Sequence, residues 1–212
     1  MSISNIVFDL GRVLIDFQYD ELLQLLHDQG ATYSSTDELL ERVDLFAYEC
    51  GQVTDREFLA NLNGLLQRPV HDDMLRNKWL HVFTSIPPMI TLAQSLATRY
   101  GVYILSNASS MHWEHLKKVF DIESIGQGQL ASFQAGARKP SPEIYRAAER
   151  EFGLIPSSTI MIDDLAENAE GARQCGWHAI HHVGIETTCR QLADHGIDMD
   201  AMETSALWLN GA

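Results

Sequence analysis

A short apolar run near the start of the chain ends abruptly in a carboxylate, and this feature constrains the fold most. Ile6, Val7 and Phe8 precede Asp9, and a second apolar run begins after Gly11. Continuous apolar runs of this length are typical of strands buried on both faces of a parallel sheet. Asp9 would then lie at the carboxyl end of its strand, the edge where open α/β sheets bind ligands. Because burying an unpaired carboxylate is costly, we expect a cation or hydrogen-bond donors beside Asp9.

Two patterns divide the rest of the chain. Residues 18–84 carry apolar residues at helical spacing without a strand signal, which predicts an all-helical insertion of about four helices. One of these helices opens with Thr54 and Glu57, the signature of a capping box. From residue 85 onward, helical and strand patterns alternate, which predicts a parallel sheet with right-handed crossovers. The sequence therefore predicts an α/β protein with a Rossmann-like parallel sheet core, residues 1–17 and 85–212, and an inserted all-helical cap, residues 18–84.

Within this scheme, individual elements can be placed. The helical spacing that includes Trp79 continues through Val82 and Phe83, so the last cap helix is predicted to include them. The strands after the first are predicted at residues 102–105, 124–126, 159–162 and 178–183, of which 124–126 is the weakest. The glycine-containing stretch 127–137 is predicted to be irregular.

Composition excludes several classes of function. A net charge of −14 argues against non-specific binding to nucleic acids or anionic membranes, which requires basic surface. The cysteines, Cys50, Cys175 and Cys189, are far apart and contain no CxxC pair, so reduced thiols are expected. No basic segment precedes the first apolar run, and no run reaches the roughly 18 residues of a membrane span. We therefore expect a soluble, cytoplasmic protein, whose oligomeric state the sequence leaves open.

Polar residues follow the apolar strands at the points where ligands are expected. Asp9 ends the first strand, Ser106-Asn107 the second, and Asp163-Asp164 a later one. Carboxylates that are crowded together repel one another unless a hard cation binds between them, and Mg²⁺ prefers such oxygen ligands. Lys139 supplies a positive charge that can face both carboxylates and a phosphoryl group. The Ser106 hydroxyl and the main-chain amides after Ser106 and Asp9 are suited to phosphate oxygens.

These motifs, in this order, resemble those of the haloacid dehalogenase-like hydrolases. The resemblance covers the whole predicted core and is carried by four separated segments: Phe8-Asp9-Leu10-Gly11, Leu105-Ser106-Asn107, Gly136-Ala137-Arg138-Lys139-Pro140 and Ile162-Asp163-Asp164. The position of the cap, between the first two motifs, is similar to that of the family's dehalogenase and sugar-phosphatase branch. The first and last motifs look closest to bacterial sugar-phosphate phosphatases of the glucose-1-phosphate type. The phosphatase domain of soluble epoxide hydrolase is a more distant similarity.

The resemblance implies a role for each matching residue. Asp9 would attack phosphorus and form an aspartyl-phosphate, with Lys139 as the second catalytic residue. Mg²⁺ would be bound by Asp9, the Gly11 carbonyl and Asp164, with Asp163 close by through a water molecule. The phosphoryl oxygens would be held by Leu10, Gly11, Ser106, Asn107 and Lys139. The function implied is a Mg²⁺-dependent phosphatase of a small phosphorylated metabolite, such as a sugar phosphate.

One position departs from the family pattern. Phosphatases of this family usually carry a second Asp two residues after the nucleophile, where it protonates the leaving alcohol, and here that residue is Gly11. General acid–base help is typically worth about 10²–10⁴-fold. Glu49, His27, a water molecule or the substrate itself are candidates to replace it, and spacing does not select among them.

The sequence is also compatible with three alternative functions. The same carboxylate attacks carbon in 2-haloacid dehalogenases, although that chemistry needs no Mg²⁺ and the pair Asp163-Asp164 argues against it. Gly11 raises the alternative of a non-catalytic protein that binds phosphate or has a regulatory role. A phosphorylatable receiver domain uses similar groups, but it carries its acidic pair on the first strand and lacks a cap of this size.

Overall fold

The apolar strands form a central parallel sheet in the computed structural model, which describes residues 2–199. The strands are β1 Asn5–Phe8, β2 Ile15–Phe17, β3 Phe83–Ser85, β4 Gly101–Ser106, β5 Gly128–Ala131, β6 Thr159–Asp163 and β7 His178–His181. The helices are α1 Asp20–Asp28, α2 Thr36–Arg42, α3 Leu45–Glu49, α4 Asp55–Gly64, α5 Asp72–Leu80, α6 Pro87–Leu96, α7 Ser110–Phe120, α8 Ser132–Ala135, α9 Pro142–Phe152, α10 Ala166–Gln174 and α11 Ile185–Asp194.

The main sheet has the strand order β5-β4-β1-β6-β7, and all its pairs are parallel. The first strand lies in the middle, with Phe8 in register with Ile104 on one side and Ile162 on the other. β4 and β5 lie on one side of β1, and the chain then crosses from β5 to β6 on the other side, so the topological switch lies beside Asp9. The prediction of an α/β fold with a Rossmann-like parallel sheet is confirmed.

Alternate residues of β1 supply two different hydrophobic cores. Ile6 and Phe8 pack on the face covered by α6, α7 and α11, whereas Val7 packs on the face covered by α9 and α10. Their side chains are fully buried, as the two-residue period of a doubly covered strand requires. The sheet is therefore fixed on both faces, and its carboxyl edge provides a rigid base for polar residues.

A third core lies among the helices α1 to α5. Trp79 is 1% exposed at its centre and stacks between the rings of Tyr19 and His112, with ring centroids 5.5 and 4.3 Å away. The residues of this cluster come from the cap region, apart from Met111 of α7. Division of the chain into a core of residues 1–17 and 85–212 and a cap of residues 18–84 remains a prediction, and residues 200–212 lie outside the described part.

Two details of the predicted cap are wrong. Between residues 20 and 80 the structure has five helices rather than about four, because Asp44 adopts a left-handed conformation with φ of 55° and separates α2 from α3. Phe83 does not continue the preceding helix. It begins β3, which pairs antiparallel with β2, with Phe17 opposite Phe83. This two-stranded ribbon connects the helices to the main sheet.

The weak strand was predicted in the wrong place. Residues 122–124 form a 3₁₀ turn, and the strand β5 begins four residues after that turn, at Gly128, inside the stretch predicted to be irregular. Gly126 passes so close to β4 that a Cβ atom there would lie 2.4 Å from the Val102 carbonyl oxygen. Only Leu130 and Ala131 of this edge strand are buried, so its apolar pattern is too short to identify. None of the helices within residues 2–199 has the length and apolarity that a bilayer crossing requires.

Candidate active site

Three carboxylates converge at the carboxyl edge of the main sheet. Asp9 follows β1, Asp163 ends β6 and Asp164 comes next, and one oxygen from each lies within 4.8 Å of the others. Asp9 precedes the other two by more than 150 residues, and the pairing of β1 with β6 brings them together. The Asp9 amide donates a hydrogen bond to the Ile162 carbonyl, which continues the ladder of the sheet one residue beyond the strand (2.8 Å).

Lys139 supplies the positive charge that this cluster needs. Its Nζ lies 2.8 Å from Asp9 Oδ1 and 2.6 Å from Asp163 Oδ2, and its side chain is only 1% exposed. Burial by itself would lower the pKa of the Lys139 ammonium, but the charges of Asp9 and Asp163 outweigh burial and raise it. The lysine is therefore a fixed cation between two buried carboxylates.

The cluster still carries excess negative charge. Burial raises the pKa of Asp9 to about 7; Lys139 opposes this rise, and the nearby charges of Asp163 and Asp164 add to it. Burial and Asp163 likewise raise the pKa of Asp164. Carboxylates whose mutual repulsion is incompletely neutralised are ligands for a hard divalent cation. The carboxylate oxygens of Asp9 and Asp164 are donors of the kind that Mg²⁺ prefers, and Gly11, whose carbonyl was the third predicted ligand, lines the same cavity.

Asn107 holds the main chain of Lys139. Its Nδ2 donates to the Lys139 carbonyl (3.0 Å), and its Oδ1 accepts from the Lys139 amide (2.8 Å). Both ends of the Asn107 amide are thus used to attach the loop before Pro140 to the end of β4. Asn107 was expected to bind substrate, and the structure adds this positioning contact.

Asp163 is held by a second set of contacts. Its Oδ1 accepts hydrogen bonds from the Leu165 amide and from Asn168 Nδ2, each at 2.9 Å, while Oδ2 faces Lys139. The hydroxyl of Tyr145 donates to the Asn168 carbonyl (2.6 Å) and fixes the start of α10. Asn168 was not among the predicted site residues. Its position shortly after Asp163, in the first turn of the helix that follows the loop, is the sequence feature that could have identified it.

A cavity of about 310 Å³ opens onto this cluster. Of the predicted residues, those that line it are Asp9, Gly11, Ser106, Asn107, Lys139 and Asp164. Leu10 and Asp163 lie beneath its surface, 2% and 0% exposed, and the Leu10 amide donates to Asp9 Oδ1 (2.7 Å). The remaining wall consists of Glu49, which was a candidate acid–base residue, and of residues that were not predicted to belong to the site: Arg12, Phe17, Arg138, Leu165 and Asn168. The site therefore combines a charged base with a mixed polar and apolar wall.

Comparisons with known proteins identify a family and several relatives of this chain. The family model described as haloacid dehalogenase-like hydrolase matches residues 3–176. A D-ribitol-5-phosphate phosphatase of Bacteroides thetaiotaomicron is 27% identical over 184 residues, which cover 82% of this chain and 89% of that protein. The phosphatase MT3486 of Mycobacterium tuberculosis is 25% identical over 193 residues, covering 84% of this chain and 87% of the relative.

A solved structure provides the same comparison in three dimensions. The haloacid dehalogenase-family enzyme BT-2542 of Bacteroides thetaiotaomicron, in complex with magnesium and inorganic phosphate, superposes with a TM-score of 0.76. It is 25% identical to this chain, and the match covers 84% of this chain and 93% of that structure.

Proposed function

This chain belongs to the haloacid dehalogenase-like hydrolase family, and we propose that it is a Mg²⁺-dependent phosphatase acting through an aspartyl-phosphate. The family resemblance expected from the motifs is confirmed, and the chain is a hydrolase. The observation that carries the proposal is the meeting of Asp9, Lys139, Asp163 and Asp164 at one sheet edge. This arrangement supplies a nucleophile, a cation site and a fixed positive charge within one cavity.

Asp9 is the proposed nucleophile. In the first step, a carboxylate oxygen of Asp9 forms a bond to phosphorus while the bond from phosphorus to the ester oxygen breaks. In the second step, water attacks the aspartyl-phosphate, the bond from phosphorus to Asp9 breaks, and inorganic phosphate leaves. The Leu10 amide and Lys139 both contact Asp9 Oδ1 and hold the carboxylate in a fixed orientation.

The surrounding residues perform positioning and charge neutralisation. Mg²⁺, when bound by Asp9, Asp164 and the Gly11 carbonyl, would neutralise charge on the phosphoryl group and align it. Lys139 and the Ser106 hydroxyl are placed to contact phosphoryl oxygens, and Asn107 keeps Lys139 in place through two main-chain hydrogen bonds. Such preorganised groups supply much of the acceleration in phosphoryl transfer.

The substrate class we propose is a small phosphorylated sugar or polyol. The cavity volume of about 310 Å³ is near the lower end of small-molecule sites. Arg12 and Arg138 provide polar contacts for hydroxyl groups, and Phe17 provides an apolar surface. The similarity to a D-ribitol-5-phosphate phosphatase supports this class.

The carboxylate cluster also argues against the alternatives. A dehalogenase that attacks carbon does not need a second and third carboxylate beside its nucleophile, and buried Asp163 with half-buried Asp164 crowded against Asp9 would be costly without a divalent cation. In a non-catalytic phosphate-binding protein, Asp9 would not need to line the cavity. Nor would the Leu10 amide and Lys139 need to hold its carboxylate in one orientation.

A panel of phosphorylated polyols and sugars tests the proposal. We expect phosphate release by the wild-type protein with Mg²⁺, and only background release after chelation or with Asp9→Asn. Asp194→Asn, at the end of α11, is the matched control and should retain wild-type turnover. Turnover that survives in Asp9→Asn would contradict the nucleophile, and metal-independent halide release from a 2-haloacid without phosphate release would contradict the function.

A further inference from the structure

The position of the missing acid is obstructed by an aromatic ring. A Cβ atom on Gly11 would lie 3.1 Å from Cε1 of Phe17, closer than ordinary van der Waals contact. The Phe17 ring is itself packed, with the Arg12 guanidinium 4.4 Å from its centroid and the Tyr19 ring 5.5 Å away. The usual site of the proton donor is therefore occupied by packing, and the donor must come from another part of the cavity.

Within residues 2–199, three carboxyl side chains line the cavity: Asp9, Asp164 and Glu49. The first two belong to the nucleophile and cation site, so Glu49 alone is free for another task. His27, the other residue considered from the sequence, has a side chain that is 79% exposed at the end of α1 and does not line the cavity. The geometry thus selects Glu49 from the two candidate side chains.

Glu49 is buried and incompletely partnered. Its side chain is 15% exposed, and its Oε2 has no hydrogen-bond partner among the described residues. Arg138 Nε lies 3.3 Å from this oxygen as an ion pair that lacks hydrogen-bond geometry, and Nε is likewise without such a partner within residues 2–199. Burial raises the pKa of Glu49, while the charges of Arg138 and Lys139 oppose that rise. Oε2 is shielded beside Arg138, but the side chain as a whole lines the cavity, which places the carboxyl group where a substrate oxygen would bind.

The helix that carries Glu49 is fixed against the core. Gly51 follows α3 with φ of +72°, and a Cβ atom there would lie 2.6 Å from the Phe133 carbonyl oxygen in α8. On the same helix, the Tyr48 hydroxyl donates to Asp55 Oδ1 (2.9 Å), and Ser110 of α7 donates to the same oxygen. These contacts hold Glu49 at the cavity without use of the carboxyl group itself.

Arg138 provides the counter-charge for the ionised state. Its guanidinium lies 4.9 Å from the centroid of the Phe46 ring, one turn before Glu49 on α3. The arginine is therefore held between Phe46 and Glu49 and can stabilise the carboxylate after it has lost a proton.

We propose that Glu49 is the general acid and base that replaces the missing Asp, an inference that rests on the proposed function. In the first step, as the bond from phosphorus to the ester oxygen breaks, the Glu49 carboxyl gives its proton to that oxygen and an alcohol leaves. In the second step, the Glu49 carboxylate takes a proton from the water that attacks the aspartyl-phosphate. Release of phosphate returns Asp9 as a carboxylate and Glu49 as an acid.

The test compares leaving groups in Glu49→Gln. Alkyl phosphates release a basic alkoxide that needs protonation, whereas 4-nitrophenyl phosphate releases a stable phenolate that does not. With a polyol phosphate we expect kcat/KM to fall by about 10²–10⁴-fold. With 4-nitrophenyl phosphate we expect a rapid burst of nitrophenol followed by slow turnover, because only the second step then lacks its base. Glu41→Gln on the neighbouring helix α2 is the matched control and should behave as wild type.

Three results separate this role from others. Equal losses on both substrates, without a burst, would overturn the acid–base role, as would a higher KM with kcat unchanged, which indicates hydroxyl binding alone. Glu49→Asp, which keeps a carboxyl group, should recover part of the polyol-phosphate activity and guards against a folding defect in the amide variant. If the wild-type protein shows no turnover, the proposed phosphatase function is wrong. If the wild-type protein turns over substrate but Glu49→Gln shows no burst of nitrophenol, only the proposed role of Glu49 is wrong.

Discussion

Replacing Lys139 by methionine leaves Asp9 and Asp163 as buried carboxylates with no cation between them. Methionine keeps most of the apolar stem, so the change removes charge more than volume. Removal of one partner from a buried ion pair typically costs about 3–5 kcal/mol. Asp9 retains the hydrogen bond from Leu10 and Asp163 retains that from Asn168, which places the expected loss near the lower end, about 3 kcal/mol. For a chain of this length, that loss corresponds to a Tm lower by roughly 6–12 °C.

Urea unfolding in the presence of a chelator measures this loss directly. The matched control is Lys78→Met, because Lys78 Nζ also lies 2.6 Å from a carboxylate, that of Glu21, but in an exposed pair that should contribute little. Added Mg²⁺ should restore part of the stability of Lys139→Met, since a divalent cation offsets the same carboxylates. A loss in Lys139→Met no larger than that in Lys78→Met would refute the reasoning.

Three further predictions concern single residues. Gly11→Asp should lower the free energy of unfolding by about 1–3 kcal/mol, because the new side chain displaces Phe17. Urea unfolding should show that Gly11→Asp costs less when it is introduced into the Phe17→Ala variant than when it is introduced into the wild-type protein. Asn107→Ala should reduce kcat for phosphate release, because Lys139 loses two main-chain contacts, and unchanged steady-state kinetics would contradict this. Burial lowers the pKa of His112 to about 3, so below about pH 6.5 the unfolded chain takes up a proton that the folded chain excludes. Stability should therefore fall as pH drops, by up to about 1.4 kcal/mol per pH unit from this residue, and urea titrations of His112→Phe should show a shallower slope.

The sequence predicts the sheet and the charged base of the site because both depend on local patterns. Continuous apolar runs around Val7 and Met161 identify strands buried on both faces, and the polar residues that follow them must meet at one edge. The β2–β3 ribbon was missed for the opposite reason. Phe83 continues the helical spacing of Trp79, and its strand conformation depends on pairing with Phe17, which is 66 residues earlier in the chain.

The place of Glu49 in the cavity wall could not be derived from motifs. Glu49 belongs to a short helix whose direction is fixed by tertiary contacts, above all the close approach of Gly51 to the Phe133 carbonyl. Spacing along the chain carries no information about that contact and does not distinguish Glu49 from His27, whereas their burial does. Asn168 is an intermediate case, since its sequence distance from Asp163 matches one helix turn beyond a loop.

Chemical trapping of Asp9 tests the central claim most directly. Wild-type protein mixed with Mg²⁺ and a phosphorylated substrate, quenched in acid and treated with borohydride, should yield a peptide in which Asp9 has become homoserine, the reduction product of an acyl phosphate. Omission of Mg²⁺ should prevent the conversion. Homoserine at another aspartate, or substrate turnover with Asp9 unmodified under these conditions, would contradict the account.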